Sequence, residues 1–190
     1  MFPWEHFAVG YVIYSLSVRV FSLRPPDWAA LLAVLFGSQF PDLVDKPASW
    51  LFNVFPSGVS VAHSVLVAVT LTVVAIAVAK YHGRADVGFA FGTGYLLHLP
   101  ADAAFRTIVH GLPPDPRVFL WPIAPKYPDP PGEFVVSVKH YISQYPELFT
   151  TAEGLRFLGF EVTLLGGAFV LWLLDGAPGI PRSTKRYYVA

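Results

Sequence analysis

The chain has 190 residues, no formal net charge and no cysteine; 54% of it is apolar and 14% charged. Disulfides and thiolate metal sites are therefore excluded, and any metal must bind through His, Asp, Glu or water. A neutral chain carries no electrostatic footprint for nucleic acid, and a charged fraction so far below the soluble average of about 25% points to a lipid environment.

The N-terminal Met1-Phe2-Pro3-Trp4-Glu5-His6 lacks the basic region of a signal peptide and no small-residue cleavage site follows, so the first segment is expected to be retained. That segment, Phe7 to Leu23, is apolar and aromatic, interrupted by Arg19. Pro25 and Pro26 break it, and Asp27 suits the N-cap of the next helix. Trp28 to Phe40 is a second, short apolar segment, ended by Pro41-Asp42-Leu43-Val44-Asp45-Lys46-Pro47. A connector with Trp50, Phe52 and Phe55 suits a membrane–water boundary, and Pro56-Ser57-Gly58 reads as a turn. The third segment, Val59 to Ala79, holds a single ionisable residue, His63, and ends at the polar turn Lys80 to Arg84.

The fourth segment, Val87 to Ala101, carries Gly88, Gly92 and Gly94, which let helices approach closely. It closes on His98 and Asp102, four residues apart and so on one helical face, with Pro100 expected to distort the turn between them. From about residue 103 to 156 runs a proline-dense excursion whose aromatics suggest a packed cap, with a short helix expected over Val135–Tyr145. His110 and His140 in it read as surface residues. The fifth segment is Phe157 to Leu174, with Glu161 near its start, and a basic tail with Arg182, Lys185 and Arg186 follows.

Runs such as 59–79 and 157–174 are long enough to cross a bilayer. The expected architecture is all-α: a single integral membrane domain over 1–190, a polytopic bundle of about five helices with a long Pro-rich loop between the fourth and fifth. If the segments alternate in direction, His6, Asp42, Asp45, His63, His98, Asp102 and Glu161 gather at one membrane face. The basic residues Arg24, Lys80, Arg84, Arg182, Lys185 and Arg186 gather at the other. The positive-inside rule then places the protein in the cell membrane as a multi-pass chain, with N-terminus and His/Asp cluster outside and C-terminus cytoplasmic. Helical bundles build metal sites from such inward-facing ligands, so the cluster reads as a divalent-metal centre.

In order, His6, Gly37 to Asp45, Ala62-His63-Ser64, Leu97 to Asp102 and Leu120-Trp121-Pro122 resemble a family of LexA-binding, inner membrane-associated metal-dependent hydrolases. That family has an early His, a small-x-x-Pro-Asp-x-x-Asp stretch, a Thr-His-Ser segment, a His-x-x-x-Asp helix end and a downstream Trp-Pro. Phe40 to Pro47 is similar to archaeal, especially haloarchaeal, members. A more distant likeness is to zinc-dependent phospholipase C and related single-strand nucleases. The likeness implies zinc foremost, with manganese or magnesium as alternatives. It also implies Asp42 or Asp45 with His63, His98 and Asp102 around one ion, and His6, with Asp102 as bridge, around a second. Two departures stand out. The basic residue often found before the Thr-His-Ser segment is missing, with Arg106 a candidate replacement. The later His-x-x-x-Glu pair of the soluble enzymes is also absent, which argues against a third ion.

The expected function is a membrane-bound metal-dependent hydrolase acting on a small-molecule or lipid-linked phosphoester. Asp45 or Glu161 would be the base, and membrane lipids the surroundings. The alternatives are a non-catalytic membrane regulator or scaffold with a structural metal or His–Asp network and, more weakly, a transporter, whose site would lie at the midplane.

Overall fold

A computed structural model describes residues 1–21, 25–124, 128–129, 135–136, 139 and 149–180. Five long helices make up most of it: α1 (Pro3–Val20), α2 (Trp28–Trp50), α3 (Val65–Tyr81), α4 (Ala85–His110) and α5 (Ala152–Leu174). Their ends follow local chemistry. Asp27 accepts a bond from Ala30 N and Thr151 one from Gly154 N, each satisfying an orphan amide of a first turn. Gly111, at φ 66°, closes α4 in the left-handed conformation that lacks a penalty only without a Cβ.

Helix α4 is the hub and packs against each of the other four. Its crossing with α2 is backbone against backbone. A Cβ on Gly37 would lie 2.2 Å from Phe91 O, and one on Gly94 would lie 2.5 Å from Val34 O. Tyr11, Tyr14 and Val18 of α1 then fill the space against Ala30, Val34 and Ala90. Helix α5 lies beside α1 and parallel to it. Trp4 Nε1 donates to Glu161 at one end, while Tyr11 and Ser15 donate to the Asp175 carboxylate at the other.

Helices α2 and α4 both run beyond the ends expected for them. Helix α2 runs through Pro41 and Pro47, and α4 runs through Pro100 to His110. A proline removes one helical hydrogen bond, but contacts on both sides hold the flanking turns here. His98 Nδ1 lies 2.7 Å from Ser38 O, bracing α4 before Pro100 and α2 before Pro41. Conversely, α3 begins at Val65 rather than 59. The amides of Ser60, Ala62 and His63 donate to the Asp45 carboxylate instead of to a helical ladder.

The expected polytopic membrane bundle is not what forms. Among the described residues one helix, Ala152–Leu174, is long and apolar enough to cross a membrane; its 18-residue window has mean hydropathy 2.0 and is 0% buried. Helix α3 is apolar but shorter. Tyr11, Tyr14 and Val18 of α1, Ala30 and Val34 of α2 and Ala90 of α4 pack on one another, and none of these three helices has the length and hydropathy of a span. The multi-pass location falls with this, as does the assignment of N-terminus and cluster to the outside and C-terminus to the cytoplasm. Both rested on several spans alternating in direction. Arg24 and the basic tail lie outside the described residues.

The start of the proline-dense excursion is packed down. Val65 N donates to Phe119 O and Ser64 Oγ to Trp121 O. The Asp129 carboxylate accepts from Trp50 Nε1, Ser57 Oγ and Gly58 N. Most of the helix expected over 135–145, and His140, lie outside the described residues.

Candidate metal centre

The site is built around two imidazoles whose orientation is set from behind. His98 stands one turn after Gly94, whose contact with α2 brings Ser38 O to His98 Nδ1. A carbonyl only accepts, so Nδ1 carries the hydrogen and Nε2 of the neutral ring carries a lone pair. His63 is fixed the same way. Its Nδ1 lies 2.8 Å from Asp45 Oδ2, and the loop bearing it wraps Asp45 through three amides. Tyr95 Oη donates to Ala62 O and secures the same loop from α4. The consequence is that Nε2 of His63 and Nε2 of His98 face each other at 3.2 Å. Both rings are 1% exposed.

Two carboxylates close on this pair. Asp42 Oδ1 is 3.5 Å from His63 Nε2 and 3.7 Å from His98 Nε2. Asp102 Oδ2 is 3.6 Å from His98 Nε2. His6 stacks on His98 with ring centroids 3.8 Å apart, and its Nε2 is 3.2 Å from Asp102 Oδ1. Two overlapping triads result, Asp42–His63–His98 and His6–His98–Asp102, each with its ligand atoms within 4.8 Å of one another. Because Nδ1 of His98 is committed to Ser38, the triads share a single nitrogen.

These separations fit a metal. With ligand bonds of about 2.0–2.1 Å, neighbouring donors of a tetrahedral zinc site stand about 3.3–3.4 Å apart, close to the distances seen. The donors are imidazole nitrogen and carboxylate oxygen, each with a bracing partner behind it in the first triad, as metal ligands usually have.

Electrostatics set the two imidazoles apart. Burial alone would lower the proton affinity of His63, but Asp42 and Asp45 outweigh it and raise its pKa. Burial and the neighbouring imidazoles push His98 the other way, keeping it neutral. Burial opposes charge on Asp42, yet His63, Lys46 and His98 hold it well below the usual carboxylate range. Asp102 is held down likewise, burial being outweighed by His6, the Met1 ammonium and His98.

The structure thus draws together five of the expected ligand residues: His6, Asp42, His63, His98 and Asp102. Asp45 stands behind His63, outside both triads. Glu161 is also outside them, near Glu5 and bonded to Trp4. Burial, with Glu161 nearby, pushes Glu5 up to about 8. Arg106 turns away, donating to Pro113 O. His110 pairs with Glu153 and His82 caps the far end of α3. Two participants went unforeseen: the Ser38 carbonyl, which carries no side-chain signal, and Lys46. Asp42 and Lys46 are four residues apart, a visible pairing only once α2 is known to continue past Pro41.

An all-α bundle with a buried His/Asp cluster and one candidate span defines a membrane-associated protein with a candidate metal-binding centre. The chain matches the family of YdjM inner membrane proteins over residues 1–174, and belongs to it. No curated protein and no solved structure matches.

Proposed function

We propose that the cluster is the divalent-metal centre of a membrane-associated hydrolase acting on phosphoesters, lipid-linked ones included. The observation that carries the reading is the pair of Nε2 atoms 3.2 Å apart, both buried and both left with lone pairs by the partners at Nδ1. Two lone pairs so placed repel unless a cation or a proton stands between them. Asp42, His63, His98 and Asp102 would hold the first ion, and His6 with the outer oxygen of Asp102 would serve a second. A divalent ion bound there supplies Lewis-acid polarisation of a phosphoryl oxygen and acidifies a water at neutral pH.

The chain's own groups do the rest. Asp45 keeps the tautomer and direction of His63. Its oxygens are engaged by three amides and the ring, so it orients rather than exchanges protons. Asp102 is the more open carboxylate, its side chain 25% exposed against 13% for Asp42, so water reaches the cluster from its side. Glu161 belongs to neither triad and meets the start of α1 at Trp4 and Glu5. Zinc is the favoured ion because the donors are mixed nitrogen and oxygen at tetrahedral spacing.

A second reading follows from the raised proton affinity of His63. One proton shared among Asp45, His63 and Asp42 satisfies the same geometry, as in a non-catalytic regulator or scaffold. Metal analysis of the purified chain beside His98→Ala and Asp102→Ala separates the two. Bound zinc in the parent that is lost in both variants, with phosphodiesterase or phosphomonoesterase turnover, supports the hydrolase. Bound metal without turnover favours a structural centre, and a metal-free parent favours the proton network.

A further inference from the structure

We propose that Lys46 forms an anion subsite beside the metal centre, binding a phosphoryl oxygen of the substrate; this rests on the metal reading above. Lys46 Nζ lies 2.5 Å from Asp42 Oδ2, while Oδ1 of the same carboxylate faces the two imidazole nitrogens. The ammonium and the ion would therefore stand on opposite oxygens of one carboxylate. A tetrahedral anion would meet two positive centres so placed through two of its own oxygens. Lys46 is also held in place. Its Nζ sits 5.7 Å from the centroid of the Trp50 ring, and a Cβ on Gly58 would lie 3.2 Å from Lys46 Cγ and 3.1 Å from the Trp50 ring. Any side chain at Gly58 would press on the lysine stem and the indole.

The position is open enough to receive a ligand. The Lys46 side chain is 34% exposed, at the Asp42 side of a cluster whose imidazoles are sealed. An ammonium has three hydrogens, and one is directed at Asp42. Once a divalent ion draws on Asp42 Oδ1, the attraction of Oδ2 for the ammonium weakens and the remaining donors turn outward. Charge agrees with this. A divalent ion, Lys46 and the Met1 ammonium paired with Asp102 together exceed the three carboxylates Asp42, Asp45 and Asp102 by one charge, so an incoming anion meets no net repulsion. Arg106 cannot fill this role, being engaged with Pro113 O.

The test is inorganic phosphate binding, by calorimetry, to the zinc-loaded full chain, with zinc content measured in parallel. Lys46→Met keeps the stem against Trp50 and removes the charge; Lys46→Arg keeps a cation. The expected result is that Lys46→Met retains its zinc, since removing a nearby positive charge cannot repel the ion. Its phosphate dissociation constant should rise about tenfold, the worth of one charge-assisted hydrogen bond, and Lys46→Arg should stay near the parent. Absent or unchanged phosphate binding with zinc retained overturns the subsite alone. Loss of zinc from Lys46→Met assigns the lysine to holding Asp42 and overturns it too. A parent chain that binds no zinc removes the metal reading and the subsite with it.

Discussion

The two triads share His98 and differ in everything behind it. In Asp42–His63–His98 both rings have their second nitrogen engaged, by Asp45 and by Ser38 O, and Asp42 is steadied by Lys46. In His6–His98–Asp102, neither ring nitrogen of His6 has an aligned hydrogen bond. Beside it, Glu5 Oε1 and Glu161 Oε2 are also buried without an aligned hydrogen bond. The first triad is organised before any ligand arrives. The second lacks that bracing.

Substitutions can break or sharpen this contrast. His98→Ala has the largest expected effect, because it removes the nitrogen common to both triads; bound zinc should be lost altogether in metal analysis. Asp45→Asn comes next. It leaves every first-triad donor in place but removes the carboxylate that fixes His63, and zinc affinity should fall by about 10–100-fold in competition with a chromophoric chelator. In the second triad, His6→Ala should change first-ion affinity by less than about tenfold, since the hydrogen bonds that fix His63 and His98 stay in place. Equal losses in the two variants would show that the triads work as one unit.

Acidity probes the same contrast from another direction. The pKa of His63 is raised by Asp42 and Asp45, so its proton persists to higher pH than on a free imidazole. Without metal, the stabilisation this proton brings is complete below the ordinary imidazole pKa and is lost as pH rises through the raised value. Metal must displace that proton. Zinc affinity should therefore weaken as pH falls through the imidazole range, with proton release on binding seen as a buffer-dependent heat. Asp45→Asn should flatten the dependence.

Much of this was legible from residue order. Five apolar segments and seven ionisable residues sorted to one end of them led to the helices and to the neighbourhood of His6, Asp42, His63, His98 and Asp102. The failures have common causes. Pro41, Pro47 and Pro100 were weighed by local propensity, whereas tertiary contacts carry α2 and α4 through them. Hence Asp42 and Lys46 share a helical face, although residue order puts both in the stretch that ends the second segment. His63 was placed inside a helix because its surroundings are apolar, and the amide demand of Asp45, fifteen or more residues away, had no local signal. Hydropathy counted Tyr11, Val34 and Ala90 towards a bilayer when they pack on one another. Composition reports how apolar a segment is, not what it faces.

The central claim is that Nε2 of His63 and Nε2 of His98 are lone-pair donors to one ion. Two-bond proton–nitrogen NMR of the imidazole rings, recorded on the full chain with and without zinc, addresses it directly. With zinc, both rings should be Nδ1–H tautomers with their Nε2 resonances shifted by the ion. Nε2 resonances unmoved by zinc, or a ring carrying its hydrogen on Nε2 in the zinc-treated chain, would contradict it.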